Sequence, residues 1–214
     1  MARPLSAHRC PRCEIRRALC FCDRIPRIAT QTRLVVLMHT AEEVLPTNTA
    51  RLASKALANS EIRIRGRKDQ PMSCGGLARP GQQAVLLYPS HRAVELNADF
   101  AARLDGPAAL VVPDGSWAQT RQMVRREPVL AELPHVKLPP GPPSEYRLRL
   151  QPSSNSLCTL EAIARALGIL ENPAAQAQLE QLLRVLVERT LWARGMLSAD
   201  QCTTAGIPGE AFFE

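Results

Sequence analysis

Three short apolar runs, residues 34–38, 84–88 and 108–112, constrain the fold most, because their only polar group is the phenol of Tyr88. A strand with water on one face alternates apolar and polar side chains, so runs without alternation belong to strands covered on both faces. The second and third runs stop at Pro89 and Pro113, where the ladder loses an amide donor. Residues 48–59 read as a helix opening on polar capping residues, and residues 62–65 as the next strand. Further on, residues 159–167 and 176–194 carry Leu at three- and four-residue steps, the spacing of helices. This alternation predicts an α/β domain with a largely parallel sheet and a helical C-terminal part. The run Leu138-Pro139-Pro140-Gly141-Pro142-Pro143 has too few amide donors for regular structure and reads as a loop beside a site. Three regions follow: a cysteine-rich segment over 1–30, the α/β domain over 31–196, and a tail over 197–214 on which no structure is expected.

With 214 residues, 45% of them hydrophobic, the chain can bury one good core and little more. Lys and Arg number 27 against 20 Asp and Glu, and the isoelectric point is near 9.4. Such a surface attracts polyanions, which points to a nucleic-acid partner, although a merely basic enzyme has the same composition. No apolar run approaches the roughly 20 residues of a membrane span. Residues 1–9 are basic without an apolar stretch after them, so a cytoplasmic protein is expected, and nothing in the chain indicates a protein partner.

Seven cysteines include Cys10, Cys13, Cys20 and Cys22, two close pairs that suit a metal in a reducing compartment better than disulfides. Four thiolates at this spacing can close a tetrahedron around Zn²⁺, and with all four positions filled by protein the site is structural. Arg9, Arg12, Arg16 and Arg17 would offset the charge of such a centre. The region is short of apolar periodicity, so a metal would supply its cohesion. Cys74, Cys158 and Cys202 read as ordinary small apolar residues.

The third apolar run leads into Asp114-Gly115-Ser116-Trp117, and Ser116 with Gln119 has the pattern of a capping box. Asp114 therefore belongs at the carboxyl end of a strand, where open α/β sheets bind ligands. Taken alone, the tetrapeptide is equally a turn and a cap with Trp117 in the core.

Together these segments resemble the DTW-domain tRNA-uridine aminocarboxypropyltransferases, whose Asp-x-Thr/Ser-Trp motif is matched by Asp114, Ser116 and Trp117. The resemblance also takes in the four cysteines, residues 39–52 with Glu42 and Asn48-Thr49, and Leu87-Tyr88-Pro89-Ser90. It continues through Tyr146-x-x-Arg149 and residues 157–162. Ser116 stands where the family's name has Thr, and Cys158 where Ser is expected.

The resemblance implies a SPOUT-like fold, with a C-terminal part of the kind that can knot around its cofactor. S-adenosylmethionine is implied as donor, and 3-(3-amino-3-carboxypropyl)uridine in tRNA, in the variable loop, as product. It places Asp114, Ser116 and Trp117 at the chemistry, and Leu87, Pro113, Tyr146, Arg149, Thr159 and Glu161 around the donor. Asp114 would accept the proton of uracil N3 or grip the donor's ammonium group, with a helix N-terminus depressing its pKa. Trp117 would stack on a base, and Arg147 and Arg149 would meet phosphates or the donor carboxylate. His39 ends a strand with a structural or functional role open. Arg63, Arg65, Arg67 and Lys68 are either a tRNA-facing stripe or a solvated charge run. The residues themselves leave open an RNA methyltransferase using the same donor, and a zinc-containing nucleic-acid binding module without chemistry.

Overall fold

The computed structural model describes residues 8–67, 69–149 and 156–213. Six parallel strands form one sheet: β1 (Arg33–His39), β2 (Ser60–Arg65), β3 (Gln83–Leu87), β4 (Val94–Glu95), β5 (Ala108–Asp114) and β6 (His135–Lys137), in the order β2-β1-β5-β3-β6-β4. The helices are α1 (Thr49–Ala56), α2 (Ala98–Ala102), α3 (Trp117–Arg126), α4 (Pro128–Glu132), α5 (Thr159–Leu170) and α6 (Pro173–Ala193).

The period-2 alternation of a strand sorts the core into two layers. Leu34, Val36 and Met38 of β1 face α1, α5 and α6, whereas Val35 and Leu37 face Met123, Val124 and Leu130 of α3 and α4. Every residue of β5 is buried, which is why its sequence shows no alternation. The chain leaves β1 for α1 on one face and leaves β5 for α3 on the other, so the carboxyl ends of these neighbours flank a switch point.

The helix expected over 48–59 is shorter: Asn48 caps it and it ends at Ala56. Ala58 N–H then donates to the Ile28 carbonyl at 3.0 Å, pulling the chain into extended backbone ahead of β2, which starts at Ser60 rather than at residue 62. Strands β4 and β6 have two and three residues, too few to register as periodicity. Residues 138–143 are irregular, as their prolines require. The tail departs from expectation, since it forms 3-10 turns over Ala199–Gln201 and Gly209–Phe212. It is held by Thr204, whose hydroxyl donates to Glu188 at 2.7 Å, and by an edge-on contact of Phe212 with Trp192 at 5.4 Å. Gly168 lets α5 and α6 meet closely, because a β-carbon there would stand 3.2 Å from Gln176 Cβ.

The cysteine-rich segment is built into this body. Leu19 and Phe21 are fully buried in the same core as α6, and Glu14 pairs with Arg51 at 2.7 Å and Lys55 at 3.1 Å on α1.

Candidate active site at the carboxyl edge of the sheet

Strand β5 ends at Asp114, and Ser116 starts α3 by a reciprocal cap: its Oγ accepts from Gln119 N–H at 3.3 Å while Gln119 Oε1 accepts from Ser116 N–H at 2.7 Å. Gly115 between them has φ +157°, and a β-carbon there would lie 3.0 Å from Gln119 Oε1 and 3.3 Å from His39 Cβ. Only glycine fits that turn without displacement. His39 itself caps the 3-10 turn after β1, its Nδ1 accepting from Ala41 N–H at 3.1 Å.

Asp114 is 4% exposed and joins the starts of two helices. Its Oδ2 accepts from Asn48 Nδ2 at 2.8 Å, at the cap of α1, and its Oδ1 accepts from the Thr159 hydroxyl at 2.6 Å, at the first turn of α5. Behind it, Asn48 also donates to Glu42 at 3.2 Å, and Arg149 donates to Glu42 at 3.2 Å and to Thr47 Oγ1 at 3.2 Å. Burial raises the pKa of Asp114; the bonds from Thr159 and Asn48 pull it down, while the neighbouring Glu42 adds to the rise. This corrects the depressed value expected from a helix N-terminus, because withdrawal from water outweighs the donors.

Beside the turn lies a cleft of about 600 Å³, within the roughly 300–1,000 Å³ of small-molecule sites. Its floor is Leu87, Val112, Pro113 and Val136 from three strand ends, and one wall is the proline-rich run 138–143. Trp117 and Thr159 close other sides, with Glu95, Lys137 and Arg165 as the charged lining. Trp117 is 45% exposed, so it is no core residue.

Of the residues expected around a donor, Leu87, Pro113 and Thr159 line the cleft and Tyr146, Arg149 and Glu161 do not. Tyr146 is buried and its hydroxyl donates to the Thr47 carbonyl at 3.0 Å. Glu161, also buried, accepts from the Ser144 hydroxyl at 2.6 Å, Glu145 N–H at 2.7 Å and Cys158 N–H at 2.8 Å. It thus caps α5 and clamps the far end of the proline-rich loop. Lys137 and Arg165 escaped the sequence reading. Lys137 ends a strand too short to detect, although its place just before Leu138-Pro139 was a usable signal. Arg165 follows Thr159 by six positions on α5 and donates to the Pro142 carbonyl at 2.7 Å, with its Nε buried and unpartnered among the described residues.

The basic run is engaged within the chain: Arg63 pairs with Glu61 at 2.6 Å, Arg65 with Glu127 at 3.1 Å, and Arg67 with Glu43. Lys68 lies outside the described residues. Arg147 is exposed.

The sulfurs of Cys10, Cys13, Cys20 and Cys22 all lie within 4.8 Å of one another, with Cys10–Cys22 at 3.4 Å, Cys10–Cys20 at 3.5 Å and Cys13–Cys20 at 3.7 Å. A tetrahedral ZnS₄ centre has edges of about 3.8 Å, so the quartet fits a metal of that size. Burial alone would raise the Cys10 thiol. The amides of Cys13 and Arg12 and the thiols of Cys22 and Cys20 reverse this and bring it to about 6. Burial carries Cys22 the other way, to about 11. Arg189 of α6 supplies a buried positive charge here, donating to the carbonyls of Cys20 at 2.6 Å and Leu19 at 3.0 Å. Cys202 is buried, as expected of a small apolar residue, while Cys74 and Cys158 are partly so. No described helix is long and apolar enough to cross a membrane.

A family model described as DTW domain matches residues 7–191. The chain is 32% identical over 176 residues to a tRNA-uridine aminocarboxypropyltransferase 2 of Drosophila melanogaster, covering 79% of this chain and 69% of that protein. It is 29% identical over 208 residues to a tRNA-uridine aminocarboxypropyltransferase A of Arabidopsis thaliana, covering 84% and 78%. Against a tRNA-uridine aminocarboxypropyltransferase 2 of Macaca fascicularis it is 27% identical, covering 76% of this chain and 56% of that longer protein. Among solved structures, the SAM-dependent rRNA:acp-transferase of Vulcanisaeta distributa superposes with a TM-score of 0.52 at 14% identity, over 85% of this chain and 88% of that one, a likeness of fold. With the family model spanning the cysteine quartet, the sheet, the Asp-Gly-Ser-Trp turn and most of α6, the chain belongs to the DTW domain family.

Proposed function

We propose that this protein transfers the 3-amino-3-carboxypropyl group of S-adenosylmethionine to N3 of a uridine in tRNA, in the variable loop, and releases methylthioadenosine. The observation that carries the reading is the cleft at the carboxyl edge of the sheet, closed by the Asp-Gly-Ser-Trp turn of a family whose relatives bear that activity in their names. Reaction forms a bond from uracil N3 to the donor's γ-carbon and breaks the bond from that carbon to sulfur. The electron pair goes to sulfur, and the N3 proton must leave.

Asp114 is sealed from the cleft, so it acts through Thr159, which lines it. The Thr159 hydroxyl donates to Asp114, which leaves its lone pairs to accept from the cleft. The N3 proton passes to Thr159 Oγ as the Thr159 proton passes to Asp114, whose raised pKa suits it to receive one. Ser116 holds the turn, and Trp117 stacks on the uracil turned out of the RNA. Leu87 and Pro113 take the apolar parts of the donor, and Arg165, a cation of the cleft lining, its carboxylate, for which a guanidinium fork is suited. Tyr146, Arg149 and Glu161 hold the walls rather than the donor. Zinc at the four cysteines ties down the N-terminal segment, and a reduced quartet suits the cytoplasm.

Two labels test the reaction. With unmodified tRNA, S-adenosylmethionine labelled in its carboxyl carbon should mark the RNA, and donor labelled in its methyl group should not. The reverse pattern would make the protein a methyltransferase, and no transfer at all would leave a binding module. Thr159→Val should lower kcat by about 10²-fold or more, the range of a lost proton-transfer group, while donor affinity holds.

A further inference from the structure

In the basic run Arg63, Arg65 and Arg67 are paired with Glu61, Glu127 and Glu43, yet Lys and Arg exceed Asp and Glu by seven. The surplus must therefore sit elsewhere, and helix α3 carries a part of it next to the cleft. Trp117, Arg121 and Arg125 follow one another at four-residue steps and all are exposed. Four residues advance a helix by about 6 Å and turn it by about 40°, so the three form one gently winding row. The adjoining side of α3, next to Trp117, buries Thr120, Met123 and Val124. None of Arg121, Arg125 and Arg126 makes an ion pair among the described residues.

A structural explanation covers only part of this. Arg125 and Arg126 lie in the last turn, where cations complement the helix dipole. Arg121 lies mid-helix, where that effect has faded, and Trp117 leaves a large apolar ring in water at the lip of the cleft. On the flank of the row the exposed Ala118 adds no bulk, and the half-buried Gln122 adds an amide.

Resting on the reaction proposed above, we infer that the outer face of α3 is the docking surface for the RNA strand beside the target uridine: Trp117 receives the base, and Arg121 and Arg125 receive the phosphates next to it. The row begins at the cleft, so a strand lying along it delivers its base to the site that transfers to it. Guanidinium forks match phosphate oxygens, and an exposed indole offers a face to any base.

The test measures binding of an unmodified tRNA transcript over a salt series for the wild type, for Arg121→Gln/Arg125→Gln, and for Arg79→Gln/Arg103→Gln. The control pair is also exposed but precedes β3 and β5, at the amino edge of the sheet away from the cleft. S-adenosylmethionine affinity, measured by calorimetry, checks that each variant keeps its fold. The α3 variant should bind tRNA at least roughly tenfold more weakly and flatten the log–log salt slope by about 1.4 to 1.8, two phosphate contacts' worth, with donor affinity unchanged. The control should follow the wild type. An α3 variant with the wild-type slope, or a control that loses as much, overturns the surface while the reaction stands. A wild type whose tRNA binding ignores salt also overturns the surface, and the reaction falls only if the carboxyl label fails to reach the RNA.

Discussion

At the scale of single residues, Asp114 is the most informative, because its surroundings pull in opposite directions. Withdrawal from water favours the neutral acid, and Thr159 and Asn48 favour the carboxylate. Since the folded pKa is raised above the ordinary 3.8, the unfolded chain loses this proton first as pH climbs. Stability from this group is therefore lost as pH rises from near 3.8 through the folded value. Asp114→Asn does not titrate. It can also keep both bonds, with its carbonyl towards Asn48 and its amide towards a rotated Thr159 hydroxyl. The stability of Asp114→Asn relative to the wild type, from urea unfolding at several pH values, should grow as pH climbs above about 4 and then level off. A difference that stays flat or shrinks would show that burial does not dominate. Asp114→Ala strips Thr159 of its acceptor and leaves Asn48 Nδ2 with Glu42 as its one acceptor among the described residues, so it should lose about 1–3 kcal/mol at neutral pH. Complete loss of folding would reduce this carboxylate to a structural cap.

Elements raise a different question, that of what fastens a segment with little apolar periodicity. Residues 8–30 are held from outside: Glu14 to α1, Phe21 to the core, and the carbonyls of Leu19 and Cys20 to Arg189 of α6. Arg189 has no carboxylate partner among the described residues, and a four-thiolate centre is the anion that would balance it. Purified protein should contain one zinc per chain, and Cys10→Ala/Cys13→Ala should contain none; metal-free wild type prepared without chelator would refute the site. Arg189→Met should release that zinc to a chelator roughly ten times faster than the wild type, in keeping with the effect of groups behind metal ligands. Equal release rates would make Arg189 a mere tether of the tail, through its bond to the Gly206 carbonyl at 3.3 Å.

For the whole molecule, the shared core makes a statement about cooperativity. Leu19 and Phe21 belong to the same apolar cluster as Leu34, Leu110, Leu160 and Leu186, so the cysteine-rich segment has no core of its own to melt. Thermal unfolding should be one transition, and chelation should lower its Tm as a whole, because a metal bound only by the folded state stabilises all that folds with it. Two separate transitions, with only the earlier one sensitive to chelator, would mean that the segment is an independent unit. The sheet, the helical C-terminal part and the place of Asp114 at a strand end were legible in the sequence because each rests on a local rule. Strands buried on both faces must be apolar throughout, proline stops a ladder, Ser116 and Gln119 form a cap by their spacing, and two close cysteine pairs can reach one ion. What lay beyond the sequence depends on partners far apart in the chain. Burial of Asp114 between Asn48 and Thr159 set its pKa, and acidic residues from other elements neutralised Arg65 and Arg67. Three donors from the loop and cap filled Glu161, and packing on one side of α3 left Trp117, Arg121 and Arg125 facing water together. Desolvation and charge pairing act across space, so only the tertiary structure could decide them.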